Sequence, residues 1–107
     1  KKFVIYDSDI DFTAGDLSNV YAVTFKQNEA SFLAGALGSK LTASEADRAN
    51  EDKVIGFIAG GENVIINDFL LGYIEGCEYA DPETKMLISY IGNFSDTAKE
   101  KRWHWLR

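Results

Sequence analysis

The segment that follows the first apolar run carries three carboxylates at alternate positions, Asp7, Asp9 and Asp11. Alternating carboxylates are typical of a calcium-binding loop, in which successive oxygen ligands surround one ion. Phe12 stands where the sharp turn of such a loop requires glycine, and Ser18 stands where a bidentate glutamate belongs. The stretch therefore does not predict a calcium loop.

The first two of these carboxylates allow a different chemistry. An apolar strand followed by Asp-x-Asp resembles the first motif of haloacid-dehalogenase-type phosphatases. That resemblance implies that Asp7 is a nucleophile and Asp9 a general acid, with magnesium holding the phosphate. The motif normally ends in threonine or valine, whereas Asp11 stands here. An acidic strand edge that accepts hydrogen bonds from a hydroxyl, or that only ends the sheet, is the favoured interpretation.

The glycine pair Gly60 and Gly61 lies between an apolar run and a helical pattern. Backbone N–H groups at the start of a helix could contact a ligand oxygen there. No phosphate-binding glycine motif is present, and the carboxylate of Glu62 would repel a phosphate. The alternative to a ligand-binding role is that the pair forms a tight turn, in which glycine is needed because the backbone has positive φ. Phe69, on the apolar face of the next helix, is either a core aromatic or a base-stacking residue.

Several classes of function are excluded by composition. His104 is the only histidine, which excludes a multi-histidine metal site, and it lies between Trp103 and Trp105 at the chain end, so no Ser/His/Asp triad is expected. The net charge of −6 argues against a nucleic-acid partner, because binding to phosphates rests on clustered cations. Cys77 is the only cysteine, and its place in an apolar helical pattern indicates a small buried side chain.

Alternating strands and helices position these residues. Apolar and β-branched runs predict strands over residues 3–6, 19–25, 54–58 and 86–91. Spacings of three and four predict a helix of about fifteen residues from Gln27, and a second helix that carries Phe69 and ends before Pro82. Ser95 or Asp96 is the expected cap of a third helix. This alternation predicts an α/β fold with a three-layer parallel sheet, in which the carboxyl ends of the strands bring residues 7–11, 59–63 and 92–96 together.

Four blocks of the sequence resemble a known family. They cover residues 19–35, 53–61, 68–76 and 90–99. Their order and spacing closely resemble the basic membrane protein family, which comprises purine-nucleoside-binding lipoproteins of ABC importers. The resemblance implies a partial type I periplasmic-binding-protein fold, in which two α/β lobes close on a nucleoside. Residues 1–18 would be the last strand of the first lobe with a linker, residues 19–99 the opening part of the second lobe, and residues 100–107 an unmatched basic, tryptophan-rich tail.

The resemblance assigns roles to four residues. Asp7 matches a carboxylate that accepts hydrogen bonds from ribose hydroxyls, and Phe69 matches an aromatic that stacks on the purine. Gly60 and Gly61 match a turn that lines the cleft. No cofactor, metal or nucleic acid is implied. The expected ligand is a purine nucleoside, and the expected partners are the permease and ATPase subunits of an ABC importer. The full-length protein would lie outside the cytoplasm, held to the membrane only by a lipid anchor absent from this chain.

The sequence therefore predicts a non-catalytic solute-binding protein, present as a fragment that binds nucleosides weakly or not at all alone. A magnesium-dependent phosphohydrolase that uses Asp7 and Asp9 is the alternative from another class. A third possibility is a half-domain without activity that dimerises through an exposed sheet edge. The charge is +3 over residues 99–107 and −9 over residues 1–98, which favours a tail that departs from the family pattern.

Overall fold

A computed structural model describes residues 1–47, 49 and 52–92 of the 107-residue chain. It contains six elements, which in chain order are β1 (Phe3–Tyr6), β2 (Val20–Val23), α1 (Gln27–Thr42), β3 (Val54–Ala59), α2 (Val64–Ala80) and β4 (Lys85–Tyr90). The predicted order of strands and helices up to β4 is confirmed. The third helix, predicted to begin at Ser95 or Asp96, lies outside the described residues.

All strand pairing in the described residues is parallel. β1 pairs with β2, and β3 pairs with β4 in a second sheet. The predicted α/β class with parallel strands is confirmed, but the four strands form two small sheets and not one. β3, α2 and β4 make a complete βαβ unit, in which the helix crosses back over its own sheet.

Both helices cover the same face of the β3–β4 sheet. The ring of Tyr73 on α2 packs against Phe57 with centroids 5.4 Å apart. A methyl group at Gly38 of α1 would contact the side chain of Ile55, which points to the same face as Phe57. The opposite face is exposed, with 48% exposure at Ile58 and 67% at Leu87. The described residues therefore supply two of the three predicted layers.

The two helices approach each other closely at their backbones, and the rings of Phe32 on α1 and Tyr79 on α2 also pack together with centroids 5.5 Å apart. A Cβ atom at Gly35 would overlap the carbonyl of Tyr73, and one at Gly76 would overlap the carbonyl of Phe32. Gly72 meets the backbone of Asn28 in the same way. The residues buried in this interface are small, namely Ser31, Gly35, Ser39 and Thr42 on α1 and Gly72, Gly76 and Cys77 on α2. Small side chains allow this close approach because no Cβ keeps the backbones apart.

Cys77 lies at the centre of this interface with 2% exposure, which confirms its prediction as a small buried side chain. Burial raises the pKa of its thiol. Nearby, the hydroxyls of Ser39 and Thr84 are 2.8 Å apart and share a hydrogen bond, which joins α1 to the segment before β4. Neither α1 nor α2, the helices in the described part of the chain, has the length and apolar character needed to cross a membrane.

A charged cluster lies at the amino-terminal end of the strands of the β3–β4 sheet. The ammonium group of Lys53 donates to Asp81 Oδ2 at 2.9 Å and to Glu83 Oε2 at 2.8 Å. The carbonyl of Lys53 accepts a hydrogen bond from the N–H of Lys85 at 2.9 Å. The cluster therefore ties the start of β3 to the turn between α2 and β4.

We expect the Asp81 contact to make the stability of the fold sensitive to acid. Hydrogen bonds from Lys53 and from the N–H of Glu83 lower the pKa of the Asp81 carboxyl below its ordinary value. The contribution is therefore present at neutral pH and is lost as pH falls through that lowered pKa, in the range below about 4. Urea unfolding followed by circular dichroism should show that Asp81→Asn is destabilised at pH 7, and that its difference from wild type shrinks in acid. Glu78→Gln, at an exposed position of α2, is the control; an Asp81→Asn difference that does not change with pH would contradict the prediction.

Candidate ligand-binding site

The turn between β3 and α2 lies at the carboxyl end of its strand. It passes through Gly60 and Gly61 to Asn63, whose side chain caps α2 by accepting a hydrogen bond from the N–H of Ile66 at 2.9 Å. Neither glycine has positive φ, so the interpretation of the pair as a tight turn that needs positive φ is wrong. A Cβ at Gly61 would have no atom within 4 Å. Neither backbone conformation nor packing in the described residues therefore requires glycine at position 61.

Phe69 is positioned near the same end of the sheet. It lies one turn before Tyr73 on the same side of α2, and Tyr73 packs on the sheet. Because α2 runs back from the carboxyl end of β3, Phe69 is nearer to that end than Tyr73. The side chain is 36% exposed and does not belong to the buried core. Phe69 is therefore partly open to solvent near the end of the sheet where ligands of α/β folds bind.

Ser31 of α1 holds the backbone at this position. Its hydroxyl donates a hydrogen bond of 2.6 Å to the carbonyl of Phe69 and is buried, with 6% exposure of the residue. The preceding turn of α1 also contacts α2 directly, because Gly72 lies against the backbone of Asn28. The contact from α1 fixes the part of α2 that carries Phe69. Sequence reasoning missed Ser31, although the spacing of small residues at 31, 35 and 39 could have indicated it.

Asp7 ends β1 in a left-handed conformation, with φ of 58°. Its N–H donates to the carbonyl of Val23 at 2.9 Å, and its carboxylate is exposed. Aspartate tolerates this backbone region better than most residues, so the conformation costs little here. The neighbouring Asp11 has a local role, because its carboxylate accepts hydrogen bonds from the backbone and side chain of Thr13, which lower the pKa of Asp11.

The structure brings the predicted site residues together only in part. Gly60, Gly61 and Phe69 belong to one βαβ unit, whereas Asp7 belongs to the β1–β2 sheet. No hydrogen bond or ion pair within the described ranges joins Asp7 to the other three. In the third predicted loop only Gly92 is described, with φ of 92°; the rest of that loop lies outside the described residues.

The arrangement offers no metal centre in the part of the chain that the structure describes. No group of three or more histidine, cysteine, aspartate or glutamate side chains there is placed to hold a metal ion. Asp7 and Asp9 therefore belong to no such group among the described residues. The phosphohydrolase alternative stays a prediction.

The parallel βαβ unit, with a glycine turn at the carboxyl end of its first strand, defines an α/β protein and is consistent with part of a periplasmic-binding-protein fold. Comparison with known families agrees. The family described as ABC transporter substrate-binding protein PnrA-like matches residues 1–104. The chain belongs to this family.

Individual relatives match most of the chain. It is 39% identical over 99 residues to the ABC transporter nucleoside-binding protein BmpA of Lactococcus lactis subsp. cremoris. The aligned residues cover 92% of this chain and 25% of the relative. It is 34% identical over 79 residues to basic membrane protein A of Borreliella burgdorferi, covering 74% of this chain and 21% of the relative. Basic membrane protein B of the same organism is 32% identical over 92 residues, covering 86% and 24%. The chain thus spans no more than a quarter of the length of these relatives.

Proposed function

We propose that this chain contributes half of a purine-nucleoside site in the substrate-binding protein of an ABC importer. The observation that carries the proposal is Phe69, an aromatic residue of α2 with 36% exposure, near the carboxyl end of β3. Membership of the substrate-binding family and the nucleoside-binding name of the Lactococcus lactis relative support it. In this proposal the protein binds and releases its ligand unchanged and carries no catalytic group.

Each site residue contributes one interaction to the proposed complex. The ring of Phe69 stacks on the purine, an interaction that suits every base because each has a flat π-face. Gly60 and Gly61 let the ligand approach the backbone, since no side chain stands between. The carboxylate of Asp7 accepts hydrogen bonds from ribose hydroxyls, and a charged acceptor makes these stronger than a neutral one would.

The rest of the proposal concerns the longer protein. Residues 1–18 would end the first lobe and residues 19–99 would open the second, so that closure of two lobes brings Asp7 to the other three site residues. The tail boundary at residue 100 stays a prediction; the family match includes residues up to 104. The proposed partners are the permease and ATPase subunits, and the proposed location is outside the cytoplasm, on a lipid anchor.

A segment exchange tests the proposal. The matching segment of the Lactococcus lactis relative is replaced by the aligned 99 residues of this chain. In calorimetric titrations with guanosine, inosine and adenosine, we expect the hybrid to bind and the 107-residue chain alone to bind weakly or not at all. Asp7→Asn in the hybrid should weaken nucleoside binding about tenfold, because a charged acceptor becomes a neutral one. Asparagine also tolerates the left-handed backbone of Asp7, so the change leaves the local fold intact.

Asp9→Asn is the matched control, since Asp9 is exposed in the same segment. A folded hybrid that binds none of the three nucleosides would refute the proposal. Submillimolar binding by the 107-residue chain alone would refute the requirement for two lobes. Equal losses from Asp7→Asn and Asp9→Asn would contradict the role given to Asp7.

A further inference from the structure

The outward side of α1 carries an apolar surface that no described residue covers. Its leucines follow a spacing of four and are exposed to 69% at Leu33, 60% at Leu37 and 50% at Leu41. Ala30, which precedes them, and Ala34, between Leu33 and Leu37, are also exposed. These five residues form one stripe along the helix, here termed the leucine stripe. The opposite side of α1 is occupied by the glycine contacts with α2, so α1 is held in place without the stripe.

Opposite charges stand at the two ends of this stripe. Glu29 lies near its amino-terminal end and Lys40 near its carboxyl-terminal end. Eleven residues separate them in the sequence, which is about three turns of helix, so both lie along the same flank of the stripe. Glu29 also accepts a hydrogen bond from Lys26 at 2.7 Å, an exposed pair that leaves the carboxylate able to accept from a second cation.

We propose that the leucine stripe is the docking surface for a second copy of this chain, bound antiparallel about a two-fold axis. Such an axis brings the amino-terminal half of each stripe against the carboxyl-terminal half of the other. Glu29 then faces the partner's Lys40, and Lys40 faces the partner's Glu29. The same face of α1 is therefore complementary to a second copy of itself in both apolar character and charge. Binding of a different partner chain would not require this symmetric placement of the two charges.

A shallow groove beside Leu33 fits this register. Its volume is about 320 Å³, and its lining consists of Asn28, Glu29, Phe32, Leu33 and Glu75. Phe32 and Leu33 supply apolar side chains to the lining, and Glu29 and Glu75 supply carboxylates. Pairing Glu29 with the partner's Lys40 places that ammonium group beside this groove, where Glu29 and Glu75 supply two carboxylates.

The contact is short, so the association is expected to be weak. The stripe extends from Ala30 to Leu41, about 17 Å of helix, which is below the size of a standard stable interface. We expect sedimentation velocity of the 107-residue chain to show a monomer–dimer equilibrium with a dissociation constant of about 10–100 µM. Leu37→Lys should raise that constant at least tenfold without changing the circular dichroism spectrum, because Leu37 is exposed in the monomer.

Charge reversal separates this dimer from other forms of self-association. Glu29→Lys and Lys40→Glu should each weaken it roughly tenfold, because each change places two like-charged pairs across the axis. The double variant Glu29→Lys/Lys40→Glu should restore the wild-type constant. Leu87→Lys, on the exposed sheet face, is the control for unspecific apolar contact and should have no effect. A strict monomer at about 500 µM, well above the expected constant, would overturn the proposal. So would loss of the dimer through Leu87→Lys alone, or a double variant that stays dissociated.

Discussion

Gly76→Ala is expected to destabilise the fold by about 2 kcal/mol, although alanine is the better helix former. In an exposed helix the change would stabilise by about 1 kcal/mol. Here the new methyl group would overlap the carbonyl of Phe32, which is backbone and cannot rotate away. The helices must separate, and the close contacts at Gly35, Gly72 and Cys77 loosen with them. Urea unfolding followed by circular dichroism at 222 nm measures the difference.

Gly61→Ala is the matched control for this prediction. A Cβ at Gly61 meets no atom within 4 Å, and the residue does not need positive φ. Its unfolding free energy should stay within about 0.5 kcal/mol of wild type. If Gly76→Ala were as stable as Gly61→Ala, the direct backbone contact between α1 and α2 would be contradicted.

Most of the fold follows from local sequence patterns. The run Val54–Ala59, the spacing of apolar residues in α2 and the break before Pro82 each act within a few residues, so their predictions match the observed elements. The division into two sheets does not follow from local patterns, because strand partners depend on contacts between distant segments. Which face of each sheet is covered also depends on contacts between distant segments.

The buried face of α1 shows why periodicity alone is insufficient. The leucines at 33, 37 and 41 identify a helix, yet they are exposed in the described structure. The face that packs on α2 carries serine, glycine and threonine instead. Hydrophobic patterns do not register such residues, because close backbone approach depends on the absence of side-chain atoms and not on their apolar character.

The positions of the candidate site residues in the fold were predictable from the sequence, whereas their role in ligand binding stays a prediction. Asp7, Gly60, Gly61 and Phe69 were all placed at strand ends or on the following helix by sequence, and the structure has them there. Two details were not predictable from the sequence. One is that Gly60 and Gly61 do not have positive φ, and the other is the hydrogen bond from Ser31 to the carbonyl of Phe69. The first depends on backbone angles, and the second joins residues that are distant in the sequence.

Phe69→Ala in the hybrid protein is expected to weaken nucleoside binding by about 10-fold to 100-fold, the effect of losing one aromatic–base stack. Phe69→Trp should retain most of the affinity, because it preserves a flat ring. Tyr79→Ala is the matched control, since Tyr79 is an aromatic of the same helix with 80% exposure. Thermal unfolding of each variant verifies that the folded fraction is unchanged at the titration temperature.

The free purine base distinguishes stacking from a general loss of structure. A base without ribose retains the ring that Phe69 would contact but lacks the hydroxyls that Asp7 would bind. Phe69→Ala should therefore weaken binding of the base and of the nucleoside by similar factors, whereas Asp7→Asn should weaken only that of the nucleoside. Titration of both ligands into both variants gives four dissociation constants to compare. If Phe69→Ala left binding of the free base unchanged, Phe69 would not be the stacking residue, whatever its effect on the nucleoside.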